Sequence, residues 1–143
     1  MTMTGQSYAG DVTSRQAWEI LKEDETAVLV DVRTSAEWQF VGLPDLRELG
    51  RGPACVQWQV YPDMAVNPDF ADQLSAQGVT KDATVLLLCR SGARSRHAAI
   101  ALTEIGYQRC FNVADGFEGG LDNDRHRGIR EGWKAAGLPW FQH

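Results

Sequence analysis

Between Cys89 and Ser95 the chain reads CRSGARS, which gathers a thiol, two guanidinium groups, two hydroxyls and a glycine into seven consecutive residues. An apolar run precedes this stretch and a helix-type pattern follows it. A turn that closes onto a helix N-terminus converges backbone N–H groups on one point and adds the positive end of the helix dipole, roughly half an elementary charge. Such a turn is an anion cradle. Arg90 and Arg94 flank it and no acidic residue lies between Cys89 and Arg96, so a thiol at its base is expected to favour the thiolate. Cys89 is therefore the candidate nucleophile. The bland alternative is a small hydrophobe capping a buried strand, but an inert core cysteine has no use for the glycine and arginines that follow.

The elements that must hold this loop are legible on both sides. Thr84-Val85-Leu86-Leu87-Leu88 is apolar without polar alternation, as expected of a strand covered on both faces of a parallel sheet. Ser95 to Gly106 carries Ala99, Leu102 and Ile105 at helical spacing and ends on a glycine, so it reads as the crossover helix. This arrangement puts Cys89 at the carboxyl edge of the sheet, where open α/β folds place their ligands.

Further elements repeat the β-α alternation of a parallel sheet. Asp11-Val12 reads as a short first strand. Thr13 or Ser14 then caps a helix with Trp18 and Leu21 on its inner face. Ala27 to Val32 reads as a second buried strand. Gly42 to Pro53 reads as a surface loop. Ala54 to Tyr61 alternates apolar and polar residues, so a strand with one wetter face near a sheet edge is expected, ended by Pro62. Asn67 is the expected cap of a helix with Pro68 in its first turn, running to Gly78. Cys110 to Ala114 is the expected fifth strand, and a last helix is expected after residue 130. The fold class is thus α/β, with a five-stranded, mostly parallel sheet and helices on both faces.

Length and composition bound the function. The chain has 143 residues, 14 Lys+Arg against 19 Asp+Glu and a formal charge of −5, which fits one domain with its own core and argues against nucleic acid as a partner. Arginine is concentrated at the loop, so the local field there is expected to draw small anions inward. Residues 1–8 are polar and read as a flexible tail without a signal peptide, and no run is long enough to span a bilayer. No membrane association is expected, and the expected location is the cytoplasm. The three cysteines, Cys55, Cys89 and Cys110, give neither a disulfide framework nor a metal knuckle. Core filling accounts for Cys55 and Cys110.

Other chemistry-bearing residues are weaker candidates. Arg33 is expected to pair with Asp31 or Glu37 rather than line the site. Asp115 is a conceivable general acid, yet Asp before Gly is ordinary turn chemistry. Trp58 and Tyr61 are expected to pack. Residues 119–130 read as an exposed loop, where Arg125, Arg127 and Arg130 oppose a cation site at Asp122, Asp124 and His126. No metal is expected. His97 and His143 are isolated in sequence and are not expected to act as ligands or bases.

CRSGARS resembles the active-site loop of the rhodanese family, small α/β sulfurtransferases that carry sulfur as a cysteine persulfide. Asp31-Val32-Arg33 with Glu37-Trp38 resembles the family's N-terminal signature. Asn112-Val113-Ala114-Asp115-Gly116-Phe117-Glu118-Gly119 resembles the strand and turn after the active-site helix, and Gly132 to Pro139 resembles a closing pattern of single-domain members. A Gly-His-Ile-Pro stretch frequent in the family is replaced by Val41-Gly42-Leu43-Pro44, without the histidine. The resemblance implies a single rhodanese-like domain over residues 1–143, with Cys89 catalytic. Arg90, Ser91, Gly92, Ala93, Arg94 and Ser95 would bind substrate. It implies no cofactor beyond the covalent persulfide, a small anionic donor such as thiosulfate, and a thiol or protein acceptor for which cyanide substitutes in an assay.

Two rivals are weighed. Cysteine phosphatases and arsenate reductases also join a cysteine, an anion cradle and an arginine, but with five residues between them. Here four separate Cys89 from Arg94, and the resemblance implies that the tighter loop fits sulfur and crowds phosphate. A non-catalytic or sulfur-sensing module of the same fold is the other rival, and its members typically lack the cysteine.

Overall fold

A computed structural model describes residues 8–60, 63–121, 123–127 and 131–142. The tail at 1–7, Tyr61, Pro62, Asp122, Arg130 and His143 lie outside the described residues. The core is a five-stranded sheet built from β1 (Gly10–Val12), β2 (Val28–Asp31), β4 (Ala54–Cys55), β7 (Thr84–Leu88) and β8 (Arg109–Val113), in the order β1-β8-β7-β2-β4. Every pairing in it is parallel. β7 is the middle strand of this order, and all five of its residues are buried. Its side chains alternate between two cores, as the period of a strand requires. Val85 and Leu87 join one with Phe70, Leu74, Ala98 and Leu102, while Leu86 and Leu88 join the other with Trp18, Leu21, Phe117 and Trp133.

Helices cover both faces as expected. α1 (Ser14–Glu23) opens on a capping box in which the Thr13 hydroxyl accepts from Gln16 N and the Gln16 side chain accepts from Thr13 N, satisfying two otherwise orphaned amides. It buries Ala17, Trp18 and Leu21 in the second core. α3 (Phe70–Ala76) and α4 (Ala93–Glu104) lie on the opposite face through Phe70, Leu74, Ala98, Ala99 and Leu102.

Four expectations need correction. The single strand at Ala54 to Tyr61 is two elements: β4 on the sheet edge, and β5 (Gln59–Val60) in a separate antiparallel hairpin with β6 (Ala65–Val66). The backbone still follows β2 through Val56 N to Asp31 O and Trp58 N to Val32 O, both at 3.1 Å, and turns into the hairpin at Gln59. The cap position of α3 is Asp69 rather than Asn67, but the Asp69 side chain makes no capping bond. Asn67 Oδ1 supplies one from two residues earlier, accepting from Asp69 N at 3.0 Å, while its amide donates to Gln57 O and Gln73 Oε1 and so also ties the hairpin to the helix. No helix follows residue 131 among the described residues. Gly132 to Gly137 forms turns hydrogen-bonded to Gly116 and Phe117, and β9 (Trp140–Phe141) pairs antiparallel with β3 (Leu43–Pro44). Finally, the segment from Gly42 to Pro53 is not wholly surface loop, since it contributes β3 and buries Leu46.

One helix was not anticipated. α2 (Ser35–Phe40) begins on a second capping box, Thr34 with Glu37. Among the described residues no helix is long and apolar enough to cross a membrane.

Candidate active site

The register of the sheet brings three strand ends together. Asp31 pairs with both Leu88 and Cys55, Asn112 pairs with Leu87, and Val32 N donates to Leu88 O at 2.9 Å. The chain leaves β7 at Cys89 on this carboxyl edge, where the expectation placed it.

Backbone hydrogen bonds fix the loop that follows. Cys89 O accepts from Phe117 N at 2.8 Å, and Arg90 O accepts from Glu118 N and Gly119 N, each at 3.0 Å. Across a trans peptide a carbonyl and the next N–H point in opposite directions. The N–H groups of Arg90 and Ser91 are therefore aimed away from the 116–119 turn. Gly92, at φ +106°, packs its backbone on Ala114 and caps α4. The amides of Ala93, Arg94 and Ser95 open that helix and have no acceptor within it, Arg96 N being the first to bond back, to Gly92 O at 3.2 Å.

Cys89 is 1 % exposed and faces the α4 side of the sheet. Polar atoms reach it there. Gly92 N donates to Sγ at 3.1 Å and the Ser95 hydroxyl lies 3.2 Å from the same sulfur. Ser95 Oγ is also 2.5 Å from Asn112 Oδ1, and Asn112 Nδ2 donates to Asp11 Oδ1 at 3.1 Å. The sulfur thus rests between the apolar core and the turned loop. For the other two thiols burial dominates: it pushes Cys55 up to about 12, with Asp31 adding to the shift, and Cys110 up to about 11 against a lowering contact from Thr103, which favours the protonated thiol in both at neutral pH.

Beside the loop, Glu37, Val41, Gln59, Met64, Arg90, Arg94 and Glu118 line an open cleft. Arg94 reaches across it to hold both oxygens of Glu37, at 2.7 and 3.0 Å. Burial pushes the Glu37 carboxyl up, but the Arg94 guanidinium and the Thr34 amide outweigh it and hold the group below the usual carboxylate range. Contact with Glu37 in turn raises Arg94. The expected surplus of positive charge at the loop is therefore corrected. Two arginines meet two glutamates in the cleft, and only Arg90 of the pair is exposed.

Residues outside the loop divide cleanly. Arg33 pairs with Asp31, as one of its two expected partners, and not with Glu37. Both side chains are fully buried, with Nε and Nη2 2.9 and 2.7 Å from the two Asp31 oxygens. Nη2 also donates to Gly42 O, and the guanidinium lies 4.3 Å from the Phe117 ring centroid. Asp115 Oδ1 accepts from Ser14 N and Oγ at 2.8 and 2.9 Å, so it anchors the start of α1, where a carboxylate is favoured by the dipole. Trp58 packs edge-on against Phe70, and His97 is exposed on α4. Asp124 and His126 are exposed, while Arg127 donates to Gly119 O at 2.8 Å.

The sequence reading missed Glu37, Glu118 and Met64 at the cleft and Asn112 behind the thiol. Two of the four carried a signal: Glu37 the Thr34-to-Glu37 capping-box spacing, and Asn112 its place as a lone amide inside the apolar run of β8.

Fold and site together define a rhodanese-like protein. The family described as the STR4 middle domain matches residues 9–143, and the chain belongs to this rhodanese-like family. It is 49 % identical to the chain in the crystal structure of Rv0390 from M. tuberculosis, with a TM-score of 0.85 over 95 % of this chain and 99 % of that one. An uncharacterized protein of Rickettsia conorii is 40 % identical over 91 % of this chain and 95 % of its own length. Thiosulfate sulfurtransferase GlpE of Actinobacillus succinogenes is 28 % identical over 90 % of this chain and 87 % of its own.

Proposed function

We propose that the protein is a sulfurtransferase that carries sulfane sulfur as a persulfide on Cys89. The observation that carries this reading is the sulfur's setting, with the Gly92 N–H at 3.1 Å and the Ser95 hydroxyl at 3.2 Å on the polar side of Cys89. The Cys89 thiolate attacks the outer sulfur of thiosulfate. A new S–S bond forms, the old one breaks, and sulfite leaves with the electron pair. The terminal sulfur now bears the negative charge and is held by the loop amides from Ser91 to Ser95, as an oxyanion hole holds oxygen. Cyanide, a thiol or a protein thiol then takes that sulfur and the thiolate returns. Arg90 receives the anionic donor, and no metal or organic cofactor enters the cycle. The relative named thiosulfate sulfurtransferase supports the reaction class. Three free cysteines suit a reducing compartment such as the cytoplasm.

Incubation with thiosulfate followed by intact mass measurement tests this directly. A gain of one sulfur atom is expected, lost in Cys89→Ala together with at least a thousandfold drop in thiocyanate formation. A gain that survives Cys89→Ala, or none in the native protein, overturns the reading.

Glu37 tempers the site's charge, which gives a second expectation. Glu37→Gln keeps the acceptor for the Thr34 amide but frees Arg94, so the KM for thiosulfate should fall about fivefold, a one-charge effect at intermediate dielectric. Stability responds to pH in a defined direction. Because Arg94 and the Thr34 amide hold the folded Glu37 carboxyl below its ordinary range, its contribution is present above that range and disappears as pH falls through the lower folded value. Urea unfolding of Glu37→Gln at successive pH values should lack that acid-limb loss.

A further inference from the structure

Behind the thiol runs a line of hydrogen bonds whose directions can be deduced from donor inventories. An ionised Asp11 carboxylate only accepts, so the Asn112 amide nitrogen must face it, at 3.1 Å from Oδ1. The amide oxygen of Asn112 must then face Ser95, 2.5 Å from Oγ. That oxygen also only accepts. Ser95 has one hydroxyl hydrogen, and two groups claim it: Asn112 Oδ1 and Cys89 Sγ, the latter 3.2 Å away. Ser95 is 0 % exposed and Asn112 3 %, so no bulk water can stand in for the partner that loses.

The outcome depends on the state of the sulfur. A neutral Cys89 thiol donates its own hydrogen to Ser95 Oγ, leaving the hydroxyl free for Asn112. A thiolate has no hydrogen to give and needs one, so the hydroxyl must turn to it and abandon a buried amide oxygen. Once Sγ carries a second sulfur, the negative charge sits on the outer atom, Sγ stops competing, and the hydroxyl returns to Asn112.

We infer that the Ser95 hydroxyl is a two-position switch thrown by the charge on Cys89, and that Asn112, oriented by Asp11, is the positioning residue that biases it against the free thiolate. This rests on the sulfur-carrier reading and deepens it, since the bias favours the loaded over the empty anionic state. The charged groups around the line are Arg94 with Glu37, Asp31 with Arg33 on the neighbouring strand, and Arg96 beside Tyr8, which itself donates to Asp11 at 2.8 Å. Asp115 is turned to Ser14.

The pH profile of Cys89 alkylation by iodoacetamide, read by peptide mass, tests the switch without any sulfur donor. Asn112→Leu removes the competing acceptor without changing charge. Asp11→Asn lets the Asn112 amide turn over and donate to Ser95. Both should move the midpoint of the profile down by about one pH unit, whereas Ser95→Ala, which deletes the donor, should move it up. Removing the Asp11 charge also favours a thiolate by relieving Coulomb repulsion, so the decisive variant is Asp11→Asn in the Ser95→Ala background. There the switch predicts that only this Coulomb part remains, a shift less than half of that seen with Ser95 in place. An undiminished shift in that background, or an unmoved profile in folded Asp11→Asn, overturns the inference. Sulfur gain from thiosulfate by intact mass, run in parallel, reports on the carrier reading separately.

Discussion

Arg33→Met is expected to destabilise the fold by about 3–5 kcal/mol, because it strands a buried carboxylate. Asp31 and Arg33 are both fully buried and meet through two side-chain hydrogen bonds at the end of β2. A third bond, to Gly42 O, holds the start of the segment leading into β3. The methionine keeps contact with Phe117 but supplies no donor. Replacing both partners with apolar residues of similar volume, as in Asp31→Leu with Arg33→Met, removes the unpaired charge and should recover at least half of the loss. Urea unfolding midpoints with unchanged slopes are the measurement. Equal losses in the single and double variants would show that the charge pair is not the source.

Gly92→Ala is the second large effect, and it should strike stability and sulfur loading together. Gly92 sits at φ +106°, where an L side chain is strained, and a Cβ there would press into the Ala114 carbonyl far inside van der Waals contact. Backbone strain of about 1–3 kcal/mol and a comparable overpacking term give an expected loss of about 2–5 kcal/mol. The only relief is to move the loop off the 114–116 turn, which carries the Gly92 amide away from Cys89 Sγ. Gly50→Ala is the control. Gly50 also has a positive φ, +72°, but nothing lies within 4 Å of a Cβ placed there, so it should lose only about 1–2 kcal/mol and load sulfur normally. Comparable losses in the two variants would remove the close approach from the explanation.

The cleft changes how the loop arginines must be read. Arg94 was expected to bind substrate on the strength of its place in the loop. Its guanidinium places both arms on Glu37, and Arg90 is the exposed arginine of the pair. A bidentate arginine pair also resists displacement, so under the proposed function an anionic donor at Arg94 would have to compete with a carboxylate already in place. Glu37 thereby couples α2 to the loop it faces.

Much of this protein was legible in local sequence because the physics there is local. An unbroken Val/Leu run can only be satisfied by a strand buried on both faces, and β7 is that strand. A glycine before a helix pattern, with arginines and no carboxylate nearby, defined the turn at Cys89. Thr13 with Gln16 and Thr34 with Glu37 are capping boxes set by a spacing of three; the sequence reading offers Thr13 or Ser14 as a cap and names neither box. What the tertiary structure alone decided are the partners reached across the sheet: Arg94 with Glu37, 57 residues away; Asp115 with Ser14, 101 residues away; Ser95 with Asn112, 17 residues away. Asp31 rather than Glu37 received Arg33 because the order β7-β2-β4 buried the end of β2 beneath the 41–44 segment. The reason is that propensity and periodicity are read from near neighbours. Which carboxylate meets which guanidinium depends on strand order and register, and these follow from how the whole chain buries its apolar faces.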